Sequence, residues 1–215
     1  ESFEDLCQKG ITEDQLLRYI TGHLYEYLEI GEKDGAFKSY LPEEVYIKPS
    51  IKPHFFTGSI VKEKTSEKKF IILTPACDIA NSKADHILLA SVSDLTGDPV
   101  RSMKSQALNP VNSSLRGDRK KKAEDAKKNA EIQLENILKN RGPHKYYFLP
   151  KSKNFCGGLI NFQDLESADP GTMNDRFEII ATVNSPFLKD IVARFSFYYS
   201  RQGAPETTFS ISDLP

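Results

Sequence analysis

Three short apolar segments within about thirty residues constrain the fold of this chain more than any other feature. They are Ile60–Val61, Phe70–Leu73 and Ile87–Val92, and all three are rich in β-branched or bulky apolar residues. A polar connection of Lys, Glu, Thr and Ser joins the first two, as is typical of a hairpin. Strands at this density predict a small β-barrel.

Three helices are predicted around these strands. Residues 12–30 form the first, which begins with a capping box made by Thr12 and Gln15. Residues 118–141 form a long charged helix, with Asp118 as the expected N-cap. Residues 186–201 form a closing helix with apolar positions at helical spacing and Ser185 as the expected N-cap. The weakly patterned segment 95–114 is interpreted as a loop.

Strand patterns lie on both sides of the long charged helix, in residues 56–93 and 144–184. Within the second range, the pair Gly157-Gly158 predicts a tight turn or a close backbone approach. This order indicates one sheet with a helical insertion, so residues 1–215 are predicted to form a single domain. The predicted fold class is therefore α+β, with an N-terminal helix, an inserted charged helix and a C-terminal helix around the barrel.

Composition excludes some classes of protein. The chain has 29 basic and 30 acidic residues, so nucleic-acid binding would have to depend on local clusters. No apolar run is long enough for a membrane span, and no signal-peptide pattern opens the sequence. The three widely spaced cysteines fit a reducing cytosol. We therefore expect a cytoplasmic protein without a membrane partner, metal or cofactor.

The connection Thr-Pro-Ala-Cys-Asp after the second strand is the first candidate site. Asp78 could act as a base, and Cys77 as a nucleophile if His86 or His144 lay near it. In the simpler interpretation, Cys77 is a small buried hydrophobe and Asp78 closes the turn through its own backbone. A binding site without catalysis is a third interpretation.

The segment Arg116–Lys128 is the second candidate, with seven basic and three acidic residues. Arg119, Lys120 and Lys121 could follow a phosphate backbone. The alternative is a solvated helix whose Lys and Glu side chains pair along its outer face.

The closing helix carries the third candidate. Arg194, Tyr198 and Arg201 share one face, which could contact a phosphate and a base or could cover the barrel edge. The segment 144–147 alternates basic and aromatic residues and could stack a base. Simple strand alternation instead makes Tyr146 a core residue and Tyr147 a rim residue.

Four segments resemble the MazF/PemK family of bacterial toxins, which are SH3-like barrels. They are TGSIV (57–61), KKFIILTPACDIAN (68–81), HILLASVSD (86–94) and GGLINFQDLESAD (157–169). The first resembles the opening Gly-Asp-Ile/Val strand of the family, and the second its Arg-Pro-Val-Leu-Val-Ile-Ser strand. Two departures stand out, because Ser59 replaces the usual Asp and Lys69-Phe70 occupies the Arg-Pro position. The catalytic signature of the family is thus not preserved.

The resemblance implies a small SH3-like β-barrel that binds or cleaves single-stranded RNA in a bacterial conflict or phage-defence setting. Cleavage would be metal-independent and would use Asp78 with Cys77 or Arg194. Binding would use Lys69, Arg119, Lys120, Lys121, Tyr198 and Arg201. The alternative is a non-catalytic adaptor that docks a partner protein of a defence or toxin–antitoxin operon. A homodimer is left open in both cases.

Overall fold

The structure is a computed structural model that describes residues 12–29, 40–47, 54–97, 100–142, 144–153 and 155–201. The chain divides into two compact units, Glu1–Tyr40 and Leu41–Pro215.

The first unit contains helix α1, Glu13–Glu29. The predicted capping box closes its start, because the Thr12 N–H donates to Gln15 Oε1 at 2.8 Å and the Gln15 N–H donates to Thr12 Oγ1 at 3.3 Å. The apolar side chains of α1 are largely exposed: Leu24 is 57% exposed and Tyr27 is 76% exposed. The helix thus forms as predicted, but its apolar stripe is not buried.

The second unit combines seven strands with five helices among its described residues. In chain order they are β1 Tyr46–Ile47, β2 Ser59–Glu63, β3 Lys69–Ile72, α2 Ala76–Ala80, β4 Ile87–Ser93, α3 Val100–Leu108, α4 Asp118–Leu138, β5 Tyr146–Leu149, β6 Gly158–Ala168, α5 Met173–Arg176, β7 Phe177–Val183 and α6 Ser185–Ser200.

The seven strands form one antiparallel sheet in the order β1-β7-β2-β3-β4-β6-β5. Its edge strands, β1 and β5, have only two and four residues, which limits the exposed backbone edge. Two register shifts, between Ile60 and Val61 and between Ala90 and Ser91, bend the strands. The result is a curled, half-barrel sheet, which agrees with the predicted α+β class.

The central strands are buried on both faces. Along β3 and the residue after it, Ile71 and Leu73 pack on one face while Phe70 and Ile72 pack on the other. Double-sided burial explains why the sequence of this strand is continuously apolar instead of alternating.

Each face has its own core. The α6-side core includes Ile60, Ile71, Ala90, Val92, Tyr147, Leu149, Ile160, Phe162, Ala181, Val183 and Ile191. The α5-side core consists of Val61, Phe70, Ile72, Ile87, Leu89, Ala168, Met173 and Phe177. Ile191 of α6 is fully buried in the first, and Met173 of α5 is 2% exposed in the second.

A third cluster attaches α3 and α4 to the β5 edge of the sheet. It contains Val100, Ile137 and Leu159, with Leu134 and Phe148 packed against it. The prediction of a loop over residues 95–114 was therefore wrong for residues 100–108, which form α3. Val100 and Ala107 lie seven residues apart on one helical face and are both 5% exposed, so packing stabilises a helix that the local sequence signals weakly.

Three finer expectations are also corrected. The N-cap of α4 is Gly117, without a side-chain hydrogen bond, and not Asp118. The N-cap of α6 is Asn184, whose side chain accepts from the Ser185 N–H. In β5 the side chains buried in the α6-side core are Tyr147 and Leu149, because α6 covers the face that simple alternation assigned to the rim.

The Gly157-Gly158 pair was predicted to mark a tight turn or a close backbone approach, and the structure confirms this. Gly157 has a φ of +77°, and a Cβ there would lie 2.9 Å from the Leu149 carbonyl oxygen. A Cβ on Gly158 would lie 2.7 Å from the Ser93 carbonyl oxygen. Both positions therefore require glycine.

An ion cluster joins β2, β6 and α5. Arg176 Nη2 lies 3.1 Å from Glu63 Oε1 and 2.7 Å from Glu166 Oε1. The Ser66 hydroxyl donates to Glu63 at 2.6 Å. The Ser66 hydrogen bond and the Arg176 guanidinium together hold the pKa of Glu63 below its ordinary value of 4.5.

Replacing the central core residue of α6 should destabilise the fold strongly. We expect Ile191→Ala to lower the free energy of unfolding by about 3 kcal/mol, since it leaves a cavity at a fully buried position. The matched control is Ile132→Ala, at a position 46% exposed, which should change it by less than about 1 kcal/mol. Urea denaturation measures both, and equal losses would contradict the proposed core.

The ion cluster should give the stability a dependence on acid. A carboxyl whose pKa is lowered on folding stabilises the fold above its ordinary pKa, and this contribution is lost as pH falls through the lowered folded value. Glu63→Gln should therefore lower the melting temperature at pH 7, and the difference from wild type should shrink below pH 4.5. Glu131→Gln, on the exposed side of α4, is the control. A deficit for Glu63→Gln that stays constant down to pH 2 would contradict this assignment.

Candidate nucleic-acid interface

The start of β5 and the last two turns of α6 bring aromatic and basic side chains into one surface. Arg194, Phe197 and Tyr198 lie at positions i, i+3 and i+4 of α6, which places them on one helical face. Arg201, which was predicted to share that face, is the extended residue just beyond the helix, and its guanidinium lies over the Tyr198 ring. On the β5 side the His144 ring lies against Phe197, with ring centroids 4.6 Å apart. We call this surface the aromatic–basic patch; its members are His144, Lys145, Arg194, Phe197, Tyr198 and Arg201.

The outer members of the patch are accessible. Phe197 is 50% exposed, and His144 and Arg201 are exposed as well. The Arg201 guanidinium lies 5.1 Å from the centroid of the Tyr198 ring. The Lys145 ammonium lies 4.8 Å from the centroid of Tyr146, a ring outside the patch that packs on the third cluster. Aromatic faces and cations are therefore close to each other, an arrangement that can stack a base and hold a phosphate.

Arg194 connects the patch to the scaffold. Its guanidinium donates to the carbonyl oxygen of Asn140, just beyond α4, and to that of Tyr146 in β5 at 3.3 Å. It also lies 5.5 Å from the centroid of the buried Tyr147 ring. Arg194 thus joins α4, β5 and α6, and its role in the structure is to position the patch.

Tyr147 and Tyr199 hold in place the strand and the helix that carry the patch. Burial and the neighbouring Asp190 carboxylate both raise the pKa of Tyr147, so its hydroxyl stays protonated. The Tyr199 hydroxyl donates to the Phe162 carbonyl oxygen at 2.7 Å, and the Tyr199 ring lies 5.0 Å from Phe195. These contacts fix the last turns of α6 against β6.

The three predicted catalytic residues do not all come together. Cys77 and Asp78 lie in α2, which packs through Ile79 against the α5-side core. Arg194 lies on α6, which packs against the α6-side core on the opposite face of the sheet. The structure therefore separates Arg194 from the Asp78–Cys77 pair.

Asp78 and Cys77 do contact each other. The Cys77 thiol lies 3.5 Å from Asp78 Oδ1, and the Asp78 carbonyl accepts from the Lys83 N–H at 2.8 Å. This backbone contact closes the turn, as the simpler interpretation expected. Cys77 is exposed, however, so the expectation that it is a buried hydrophobe was wrong. His144, one of the two suggested bases, belongs to the patch.

The predicted nucleic-acid-binding residues lie in three places. Tyr198 and Arg201 belong to the patch, and Arg119, Lys120 and Lys121 lie on the exposed first turns of α4. Lys69 is half-buried at the start of β3. The pKa of Asp94 is lowered mainly by hydrogen bonds from Thr96 and Gly97, and the charge of Lys69 lowers it further. Phe197 was missed, although its spacing from Arg194 and Arg201 could have indicated it.

Two kinds of feature are absent from the residues that the structure describes. No three His, Cys, Asp or Glu side chains there form a group suited to a metal ion. In the same residues, no helix combines the length and the apolar character needed to cross a membrane.

No protein-family model matches the chain, and no curated protein or solved structure matches it significantly. The function of the patch is therefore inferred from its geometry.

The structural role of Arg194 can be tested by its removal. We expect Arg194→Met to lower the free energy of unfolding by about 2 kcal/mol, because charge-assisted hydrogen bonds to two carbonyl oxygens are lost. Lys189→Met, at an exposed position on the same helix, is the matched control and should change stability little. Urea denaturation of both variants measures the difference. Wild-type stability for Arg194→Met would show that these contacts do not position the patch.

Proposed function

We propose that this protein binds single-stranded RNA through the aromatic–basic patch. The observation that carries the proposal is the meeting of His144 with Phe197, which joins two basic and aromatic segments that are far apart in the sequence. Stacking on aromatic rings beside cations suits single strands, because every base has a π-face and every linkage a negative charge.

The family resemblance adds the biological setting of the proposal. A chain similar to MazF/PemK toxins would be a cytoplasmic bacterial protein of a conflict or phage-defence system, with an SH3-like barrel as its core. The curled antiparallel sheet is compatible with such a barrel. In that setting the partner would be RNA of the host or of an invading phage.

Binding is favoured over cleavage. A metal-independent ribonuclease needs a general base and a phosphate-holding cation at one groove. Asp78 and Arg194 lie on opposite faces of the sheet, and Arg194 is engaged by two backbone carbonyls. The patch has aromatic rings and cations, but the carboxylate proposed as the base is elsewhere.

A second candidate function is that of a non-catalytic adaptor, and α1 is the observation that favours it. Leu17, Ile20, Leu24 and Tyr27 follow a 3-4-3 spacing and are 54%, 43%, 57% and 76% exposed. This is the seam of a helix that pairs with another helix. Four acidic residues and one arginine flank the seam, so the partner of such an adaptor would be an amphipathic helix with basic flanks.

RNA binding can be tested by fluorescence anisotropy with an end-labelled single-stranded RNA. We expect Phe197→Ala to weaken binding about tenfold or more, since base–aromatic stacking contributes about 1–3 kcal/mol per base. Tyr27→Ala, which removes an exposed aromatic ring of α1, is the matched control and should bind as wild type does.

The same mixtures, run on a denaturing gel in EDTA and with Mg²⁺, test cleavage beside Asp78→Ala. We expect intact RNA in every lane. Cleavage in EDTA that Asp78→Ala abolishes would restore the ribonuclease interpretation. The absence of RNA binding by folded wild-type protein would overturn the proposal and favour the adaptor.

A further inference from the structure

The first half of α4 and the whole of α3 form a helical arm that extends from the sheet edge. We define this arm as residues 100–129. In α4 the first fully buried residue is Ala130, and every position from Asp118 to Asn129 is exposed or half-buried. The base of the arm is fixed by Val100, Ile137 and Leu159, so the basic turns lie at its far end.

The far end of the arm carries cations that few contacts neutralise. Residues 116–128 include seven basic and three acidic side chains. In this part of the described chain, the ion pair is Lys120 with Glu124, at 3.8 Å, and both side chains are more than half exposed. Of the remaining cations, Lys127 is half-buried, and the others are exposed to solvent.

These cations also lie where they destabilise the helix. Arg119, Lys120, Lys121 and Lys122 occupy the first turns of α4, near the positive end of the helix dipole. Asp118 is the acidic residue of this first turn and stabilises that end, whereas the four consecutive cations that follow it repel each other. An anionic ligand would offset both costs, whereas an unliganded solvated helix would gain stability from their replacement.

Helix α4 fixes the distance between the arm and the patch. At 1.5 Å per residue, the rise from Lys121 to Leu138 is about 25 Å. Asn140, just beyond that end, accepts the hydrogen bond from Arg194 of the patch. A stacked strand with about 3.4 Å per nucleotide needs about seven nucleotides to cover this distance.

We propose that the arm is the second half of the RNA site, so that one single strand stacks on the patch and places its phosphates on Arg119–Lys122. Its length is about ten nucleotides, about seven to cover the distance and about three to stack on the three aromatic rings of the patch. This inference rests on the proposed function and adds to it the minimum length of the ligand and the residues that hold its distal phosphates. The patch selects unpaired bases, and the arm contributes a charge-dependent share of the affinity.

The test compares two labelled oligouridines, of four and twelve nucleotides, by anisotropy over a series of salt concentrations. The arm variant replaces Arg119, Lys120, Lys121 and Lys122 with Gln. The matched control replaces four exposed lysines elsewhere, Lys68, Lys83, Lys151 and Lys153, with Gln and has the same net charge. Circular dichroism confirms that both variants are folded.

For the twelve-nucleotide RNA, we expect the arm variant to bind at least about tenfold more weakly than wild type and the control. Its slope of log affinity against log salt should be smaller by about 3, the value for four neutralised contacts on a single strand. For the four-nucleotide RNA, which cannot reach the arm, the arm variant and wild type should have the same affinity and the same salt dependence.

Other outcomes separate the two proposals. If the arm variant and the control both bound the long RNA as tightly as wild type, with Phe197→Ala still defective, the arm proposal would be overturned and the patch proposal would stand. Equal loss in the arm variant and the control would show a general charge effect and would also overturn it. Failure of wild type to bind either RNA would overturn the proposed function itself.

Discussion

Burial of the central sheet on both faces is the constraint on which the rest of the second unit depends. Apolar side chains of β2, β3 and β4 alternate between two cores, so each face requires a cover. Helix α6 covers one face through Ile191, and α5 with α2 covers the other through Met173 and Ile79. The position of α6 then decides where its last two turns meet β5.

The patch is a consequence of this packing. Once Ile191 is fixed in the core, the helical repeat directs Arg194, Phe197 and Tyr198 toward the β5 edge, and Arg201 follows directly after the helix. There Arg194 joins the backbones of α4 and β5, and Phe197 meets His144. The same arginine therefore connects the proposed binding surface with the helix that carries the arm, and a rigid scaffold supports both halves of the proposed site.

In the arm, the cations that are proposed to bind RNA destabilise the start of α4. The first turns of α4 are exposed and contribute no buried side chain to the core, and the helix dipole disfavours the cations there. Local destabilisation of this kind is typical of functional sites, where local rules are broken in favour of a ligand. In the ion cluster of Arg176, by contrast, each carboxylate has a cation within 3.1 Å, and its role is confined to the fold.

The sequence alone determined the elements with strong local signals. The capping box of α1, the strands around Phe70–Leu73 and Ile87–Val92, and the close approach at Gly157 and Gly158 follow from side-chain chemistry over a few residues. It did not determine α3, which is stabilised mainly by packing on α4, nor the phase of β5, which depends on where α6 lies. Only the tertiary structure separated Arg194 from Asp78 and joined His144 to Phe197. Both results concern positions about fifty or more residues apart in the sequence, and no local pattern encodes their distance in the fold.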